Sequence, residues 1–341
     1  MTTDSRATPF TAELIVESYL HGVRVDSFLV KHFRNYTPFR MQRLVRAGQV
    51  KIEGATAQSD DRVYEGQSVF VRLLEPPDHL LPPEPIPLDI VYEDPWLIAV
   101  NKPAGIVVHP CGMWKNGSLA NALQHHLDQQ TQLRGLLRPG VVHRLDRLTS
   151  GIIVLTKDHL AHRKLSIAFQ SGYVTKTYLA LVHGLVKHDR GEIDLPIGAT
   201  SGGGTIRRSV EEDAEDARES QTRYEVVDRF ARHSLVRCQP LTGRLHQIRV
   251  HLAGIGHPVL ADEFYSHAAV FRPSDIRGRS SSPAGGDGNR DGHPDEAPLL
   301  CRQALHAQSL RFQHPITRHS VAVEAPLATD MQATLEALRA G

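Results

Sequence analysis

The chain has 341 residues, of which 40% are hydrophobic and 23% charged, a balance typical of a globular protein with a sizeable buried core. The formal net charge of +1 excludes a surface that is basic throughout, so any contact with nucleic acid must come from local patches. The three cysteines form no CxxC pair, which argues against a zinc ribbon or a disulfide framework. We find no signal peptide and no membrane-length apolar run, so we expect a cytoplasmic protein.

The first predicted domain spans residues 13–73 and contains a basic strip. The stretch TPFRMQRLVRAG predicts a helix, because Thr37 can cap it, Pro38 suits its first turn and Gly48 ends it. Between positions 22 and 51, seven Lys or Arg residues stand against one acidic residue. Such a strip occurs on solvated helix faces, but the lack of acidic partners at helical spacing favours a surface that contacts phosphates. The predicted RNA-binding residues of this domain are Arg40, Arg43, Arg46 and Lys51.

A proline-rich linker is predicted over residues 74–87, and one larger domain over residues 88–335. Six prolines between positions 76 and 87 favour an extended chain. In the larger domain GIIVLTKD predicts a buried strand, and Asp158 can cap the helix that follows it. The alternation in VTKTYLALVHG places Lys176 and Tyr178 on one face of a strand. Residues 211–219 predict an acidic solvated loop, and residues 273–298 a disordered insert.

Twenty histidines raise the question of a metal site, which their spacing does not favour. His246 and His251 point in different directions on either a helix or a strand, and no HExxH motif is present. The SGGGT stretch is not followed by a helix that opens with Lys-Ser or Lys-Thr, so it predicts a flexible loop and not a phosphate-binding loop. We therefore expect neither a metal nor a cofactor.

Two stretches carry candidate chemistry. HRLDRLTSG places Asp146 between Arg144 and Arg147, and nearby positive charge keeps a carboxylate ionised. That suits a nucleophile and makes Asp146 a poor general acid, although an ion-paired surface turn explains the same pattern. LTGRLHQIRVHLAGIGHP predicts a helix with an apolar stripe of Leu245, Ile248, Leu252 and Ile255, and with Arg249 near His246. A basic surface helix explains this second pattern equally well.

Five motifs in this order resemble the RluA family of RNA pseudouridine synthases: EDPWLIAVNKPAGIVVHP, HRLDRLTSGIIVLTK, KTYLALVHG, TGRLHQIRVHLAGIGHPVLAD and LHAQSLRFQHP. The resemblance runs from Leu88 to the end of the chain, and HRLD followed by TSG is its most specific part. It implies an α+β protein whose catalytic domain has a mixed, mainly antiparallel central sheet with flanking helices. Residues 23–73 resemble the small α+β RNA-binding module named after ribosomal protein S-four.

The resemblance also implies an activity and the residues that carry it. The enzyme would isomerise uridine to pseudouridine in structured RNA, above all ribosomal RNA, as a monomer without a cofactor. Asp146 would be the nucleophile, and Arg249 would position its carboxylate. Tyr178 would pack on the flipped uracil and is a candidate to move the proton at carbon 5. Arg144 would help to extrude the uridine. The other predicted substrate-binding residues are His143, Thr149, Gly151, Lys176 and His246.

The sequence departs from the family pattern at a few positions, and two other functions compete with the one implied. Ala261 and Ser266 stand where the family usually has glycine, which puts the periphery of the substrate site in doubt more than the chemistry. A non-catalytic RNA-binding or ribosome-assembly protein on the same fold should lack Asp146, Tyr178 or Arg249, and all three are present. A glycosidase-like hydrolase would need a second carboxylate beside Asp146.

Overall fold

The computed structural model describes residues 10–74, 81–131, 134–200, 207–211, 214–266, 268–277 and 296–341. The helices are α1 (Val25–His32), α2 (Pro38–Arg46), α3 (Leu119–Asp128), α4 (His159–Gln170), α5 (Gln247–Gly254), α6 (Pro273–Arg277) and α7 (Thr329–Ala340), with a short 3₁₀ turn at Ser18–Leu20. The strands are β1 (Phe10–Ile15), β2 (Val23–Arg24), β3 (Val50–Ile52), β4 (Ala55–Thr56), β5 (Arg62–Val63), β6 (Ser68–Leu73), β7 (Ile90–Glu93), β8 (Leu97–Lys102), β9 (Gly140–Val141), β10 (Ser150–Thr156), β11 (Thr175–His183), β12 (Arg190–Asp194), β13 (Ile197–Ala199), β14 (Arg208–Ser209), β15 (Glu215–Arg218), β16 (Gln221–Arg229), β17 (His233–Pro240), β18 (Leu305–Gln313) and β19 (Ser320–Glu324).

The N-terminal module packs two helices on a four-stranded antiparallel sheet with the order β1-β6-β3-β4. Its core includes Phe28 from α1 and Met41 from α2, both fully buried. The predicted helix α2 begins as its sequence indicates, because the Thr37 hydroxyl accepts a hydrogen bond from the backbone N–H of Arg40 at 3.3 Å. The module begins at Phe10, three residues before its predicted boundary.

The larger domain is built on a ten-stranded sheet. Its main path is β12-β16-β17-β11-β18-β10-β8-β7, while β19 pairs with β18 and β9 pairs with β10. The pair β10–β18 is parallel and the other described pairs of this sheet are antiparallel, so the predicted mixed, mainly antiparallel sheet is confirmed. Every residue of β10 is buried, which fits its uninterrupted apolar sequence.

Two helices on this sheet begin beside functional segments. The Asp158 carboxylate accepts a hydrogen bond from the backbone N–H of Ala161 at 2.8 Å and caps α4, as predicted. The helix α5 begins at Gln247 after a left-handed residue, His246, whose φ is 57°. Leu245 therefore precedes the helix and does not extend the apolar stripe that the sequence predicts. The helix α5 instead presents Arg249 to the loop that precedes β10.

The boundaries of three predicted segments differ in the structure. The predicted disordered insert begins with α6, which buries Ile276 in the core, and residues 278–295 lie outside the described part. Within the predicted acidic loop, β15 pairs with β13 although all four of its residues are exposed. The helix α7 buries Leu338, so the larger domain extends beyond residue 335. Residues 81–89 of the predicted linker form neither helix nor strand.

Among the described residues, no helix combines the length and the apolar character that crossing a membrane requires.

Candidate active site

The candidate active site is a cleft of about 640 Å³ at the start of β10. Three segments line it: the loop that leads into β10, the beginning of β11, and the turn that leads into α5. Eight of the nine site residues predicted in the larger domain lie at its wall, although they are up to about a hundred positions apart in sequence. They are His143, Arg144, Asp146, Thr149, Lys176, Tyr178, His246 and Arg249. The ninth, Gly151, lies behind the wall, and the four predicted residues of the N-terminal module do not line the cleft.

Asp146 is held by a guanidinium from a distant segment. Nη1 of Arg249 donates a hydrogen bond to Oδ2 of Asp146 at 2.8 Å, and the Asp146 side chain keeps 20% of its surface exposed. Among the described residues, Oδ1 of Asp146 accepts no hydrogen bond. The ion pair therefore fixes the carboxylate in one orientation and leaves one of its oxygens available to a ligand in the cleft.

Arg249 is in turn held by Asp262, which our sequence interpretation did not assign to the site. The guanidinium donates from Nε and Nη2 to the two Asp262 oxygens, at 2.7 Å each, and the Asp262 side chain is fully buried. Burial opposes the charge of Arg249, but the hydrogen bonds and charge of Asp262 outweigh it and raise the pKa of Arg249 above its ordinary value. Arg249 is therefore a permanent cation beneath Asp146.

A backbone constraint accompanies Asp262. Ala261 has a φ of 53°, in the left-handed region that favours glycine. This explains physically why glycine is usual there in the resembling family, and the departure noted in the sequence leaves the Asp262 contacts intact. Ser266, the second such departure, donates from its hydroxyl to the backbone oxygen of Asp262 at 2.9 Å.

Tyr178 and Lys176 form the β11 side of the cleft. Tyr178 is buried, and burial together with the negative charge of Asp146 raises the pKa of its phenol. The phenol is thus protonated at neutral pH. The Lys176 ammonium donates to the backbone oxygen of Thr242 at 3.0 Å, and burial lowers its pKa. The prediction that both side chains lie on one face of the strand agrees with this shared wall.

His246 closes the cleft beside Asp146 as a neutral imidazole. Its Nε2 lies 3.8 Å from Oδ2 of Asp146, and its Nδ1 lies 2.9 Å from the hydroxyl of Tyr265. The ring stacks on Phe264 at a centroid distance of 5.6 Å. Burial lowers the pKa of His246 to about 4, although Asp146 acts in the opposite direction. His246 therefore adds no positive charge next to the carboxylate at neutral pH.

Two buried cations that the sequence interpretation missed anchor the loop carrying Asp146. The Lys102 ammonium donates to the backbone oxygens of Pro103, Ile106 and Arg147, at 2.8, 3.0 and 3.2 Å. Burial, reinforced by the charge of Arg302, lowers the pKa of Lys102 to about 7. Arg302 donates to the backbone oxygen of Leu148 at 3.1 Å. The loop is thus held on both flanks of Asp146, a requirement for a precisely placed reacting group.

Arg302 is itself fixed by an ion pair, and the loop carries its own support. Nε and Nη2 of Arg302 donate to the two oxygens of Asp330 at 2.6 and 2.7 Å. Thr149 donates its backbone N–H to the Asp146 carbonyl at 3.1 Å, and its hydroxyl accepts from Gln303 at 3.3 Å. Thr149 therefore shapes the loop from within, at the edge of the cleft.

Gly151 and His143 support the loop from β10 and α4. Gly151 has a φ of 110°, and a Cβ there would lie 2.2 Å from the carbonyl oxygen of Ala307 on the parallel strand β18. Only glycine permits this approach. The His143 ring stacks on Phe169 at 4.4 Å and accepts a hydrogen bond from the backbone N–H of Val154 at 3.1 Å. Burial and the charge of Lys176 lower the pKa of His143 to about 3, so it is neutral.

The remaining basic residues are more exposed. Arg144 is exposed at the mouth of the cleft. The guanidinium of Arg147 lies 5.2 Å from the ring centre of Trp114, a cation–π contact that accounts for a residue the sequence left unexplained. In the N-terminal module Arg43, Arg46 and Lys51 are exposed and Arg40 is half-buried.

The lining residues define what the cleft can do. Four Lys or Arg side chains reach it, and among the described lining residues Asp146 is the one carboxylate. A polyanion is therefore attracted to the cleft, while the hydrolase alternative finds no second lining carboxylate. Asp262 does not line the cleft, and Arg249 occupies both of its oxygens.

Comparisons with known proteins agree with this geometry. A family model described as "RNA pseudouridylate synthase" matches residues 96–254. The chain is 36% identical over 316 residues to an RNA pseudouridine synthase of Bacillus subtilis, covering 93% of this chain and 94% of the relative. It is also 36% identical to the ribosomal large subunit pseudouridine synthase D of Nitrosomonas europaea, covering 96% of this chain and 88% of the relative.

A solved structure shows the same fold. Human RNA pseudouridylate synthase domain containing 1 superimposes with a TM-score of 0.53 at 26% sequence identity, covering 76% of this chain and 98% of that chain.

Proposed function

Because the chain belongs to the RNA pseudouridylate synthase family, we propose that it isomerises uridines of ribosomal RNA to pseudouridine, with Asp146 as the nucleophile. The RluA resemblance is confirmed by relatives at 33–36% identity, named ribosomal large subunit pseudouridine synthase D, that align with most of the chain. The observation that carries the assignment of Asp146 is its ion pair with Arg249, which orients the only lining carboxylate in the described cleft.

The reaction would proceed on a base outside its stack. A uracil inside an RNA stem cannot reach a wall of the cleft, so the nucleotide must flip out at a cost of a few kcal/mol. Packing of the base on the Tyr178 ring would recover about 1–3 kcal/mol of that cost. Arg144 at the mouth of the cleft is placed to enter the vacated position and to contact phosphates.

The chemistry balances without an outside reactant. The bond from nitrogen 1 of uracil to the ribose breaks, the base turns, and carbon 5 forms the new bond to the same ribose carbon. The proton at carbon 5 leaves and nitrogen 1 gains one. Asp146 would add through its free Oδ1 and depart once the new bond forms. The raised pKa of Tyr178 favours a stacking and hydrogen-bonding role over that of a base in the resting enzyme.

Release of the carbon 5 proton gives a direct test. Ribosomal RNA labelled with tritium at carbon 5 of its uridines should lose tritium to water with the natural protein and with Asp60→Asn, which alters an exposed carboxylate. The variant Asp146→Asn should release none. Tritium release that persists in Asp146→Asn would show that another residue is the nucleophile, and free uracil as a product would favour a hydrolase.

The choice of ribosomal RNA rests on the relatives' names and on the basic strip. The exposed side chains of Arg43, Arg46 and Lys51 lie on an S-four-like module that we propose binds RNA backbone. Replacing all three by glutamine should raise KM and leave kcat unchanged, and it should reduce the salt dependence of binding by about three charges. Mapping pseudouridine across total RNA from cells with and without the protein identifies the substrate. The cytoplasmic location and the monomeric state stay predictions.

A further inference from the structure

A second composite cluster lies where the N-terminal module meets the larger domain. It consists of Glu17, which follows β1, His32 at the end of α1, and His159 at the start of α4. Their candidate ligand atoms all lie within 4.8 Å of one another. Nε2 of His159 lies 3.1 Å from Oε1 of Glu17, and Nε2 of His32 lies 3.5 Å from Oε2. The adjoining cavity has a volume of about 320 Å³ and is lined by both histidines.

The polar atoms of this cluster are buried without hydrogen bonds. Oε2 of Glu17, Nε2 of His32 and Nε2 of His159 are inaccessible to solvent, and none has a hydrogen-bond partner among the described residues. The His159 side chain is only 6% exposed. A simple ion pair would use one imidazolium and one carboxylate, so it would leave the second imidazole nitrogen unsatisfied. Buried polar atoms without partners are uncommon and indicate an unseen ligand.

The donor set identifies the class of ligand. We propose that Glu17, His32 and His159 bind a zinc ion that joins the N-terminal module to the larger domain. Two imidazole nitrogens and one carboxylate oxygen suit Zn²⁺, whereas Ca²⁺ and Mg²⁺ prefer oxygen ligands alone. Zinc–ligand bonds of about 2.0–2.1 Å in a tetrahedron separate the ligand atoms by about 3.3 Å. The two measured separations from Glu17, 3.1 and 3.5 Å, bracket that value.

The surroundings supply the outer contact that metal-bound histidines usually have. Nδ1 of His159, the ring nitrogen that faces away from the cluster, lies 3.3 Å from Oδ2 of Asp158. A carboxylate in this place fixes the ring orientation and makes Nε2 a better ligand. The adjoining cavity leaves room for a water molecule as the fourth ligand. No spacing motif announces the site, because its ligands lie 15 and 127 positions apart in the chain.

The consequence is mechanical. Two ligands come from the module and one from the larger domain, so a bound ion would hold the basic strip at a fixed position relative to the cleft. Existing contacts already bring the two parts together: Asn35 donates to the backbone oxygen of Gly135 at 2.7 Å, and the Arg163 guanidinium lies 4.2 Å from the ring centre of Tyr19. The metal would add to these contacts and take no part in the reaction at Asp146.

Metal binding to the full, untagged chain tests the proposal. After chelator treatment and dialysis, titration with Zn²⁺ should give about one high-affinity site per chain. Binding of Co²⁺ should give the strong visible absorption of a tetrahedral site. The variants Glu17→Gln and His32→Gln should lose this site, and Asp158→Asn should bind about tenfold more weakly. The control His188→Gln, which alters an exposed histidine, should bind as the natural protein does.

A second measurement covers the case in which the variants fail to fold. Crystals of the natural protein grown with Zn²⁺ should show an anomalous scattering peak between Glu17, His32 and His159. The proposal is overturned if the natural protein binds no Zn²⁺, if folded Glu17→Gln and His32→Gln variants bind it unchanged, or if the anomalous peak lies elsewhere. None of these results depends on pseudouridine formation, so they do not bear on the proposed function.

Discussion

Asp146 and Glu17 are both partly buried carboxylates that contact residues far away in the sequence, yet their partners differ in chemistry. Asp146 contacts the guanidinium of Arg249, 103 positions later, and that guanidinium is itself locked by Asp262. Glu17 faces the imidazole rings of His32 and His159. The first carboxylate has a permanent cation as its partner, and the second has two rings that are able to donate lone pairs.

The difference explains why one carboxylate suits covalent chemistry and the other metal binding. A guanidinium offers only N–H donors and stays charged, so it orients a carboxylate without competing for a metal. Neutral imidazole is the commonest metal ligand in proteins. The kind of partner, and not burial alone, therefore decides what each carboxylate does. Four predictions test this division, in order of decreasing effect.

The largest effect is expected from Asp146→Asn, which keeps the shape of the side chain and removes its charge and nucleophilicity. We expect kcat for pseudouridine formation to fall at least about a thousandfold. Thermal unfolding should still be cooperative, which the melting curve checks. The division between the two carboxylates fails if Glu17→Gln lowers kcat on saturating RNA as strongly as Asp146→Asn does.

The next effect concerns the ion pair beneath Asp146. Asp262→Asn leaves Arg249 buried with a weaker partner, so we expect the free energy of unfolding to fall by about 3–5 kcal/mol. Asp330→Asn is a matched control, because Asp330 makes the same two-point contact with Arg302 but is 36% exposed. Its loss should be smaller, since water screens the pair. Urea unfolding of both variants measures the difference, and equal losses would contradict the role of burial.

A smaller effect should follow pH. The folded pKa of His246 is lowered to about 4, so its neutral form stabilises the protein fully above its ordinary pKa of 6.5. That contribution is lost as pH falls from 6.5 toward 4, by about 2 kcal/mol between pH 7 and pH 5. Urea unfolding at the two pH values measures it. His246→Gln should reduce the loss, and a variant with an unchanged pH dependence would disprove this assignment.

The smallest effect lies in the N-terminal module. Thr37→Ala removes the cap of α2 and should cost about 1 kcal/mol, while Thr37→Ser should retain most of the stability. Because this change lies outside the cleft, kcat on saturating RNA should match that of the natural protein. A fall in kcat with unchanged KM would show that the module contributes to the chemistry and not only to RNA binding.

Local sequence signals predicted several elements well. The cap and proline of α2, the Asp158 cap of α4 and the apolar run of β10 each indicate structure within a few neighbouring residues, and each is confirmed. The start of α5 was placed less well, because His246 adopts a left-handed conformation that no propensity indicates. The predicted disorder after residue 272 did not foresee α6, which owes its place to the burial of Ile276.

The sequence by itself determined the family, the mixed sheet and the identity of Asp146 as a candidate nucleophile, because contiguous motifs carry those signals. Only the tertiary structure decided which groups hold that residue. Asp262, Lys102 and Arg302 act through contacts across the fold, and a single sequence does not encode distance between segments. The same reason hid the Glu17, His32 and His159 cluster, since no local spacing relates residues that meet only when two domains pack together.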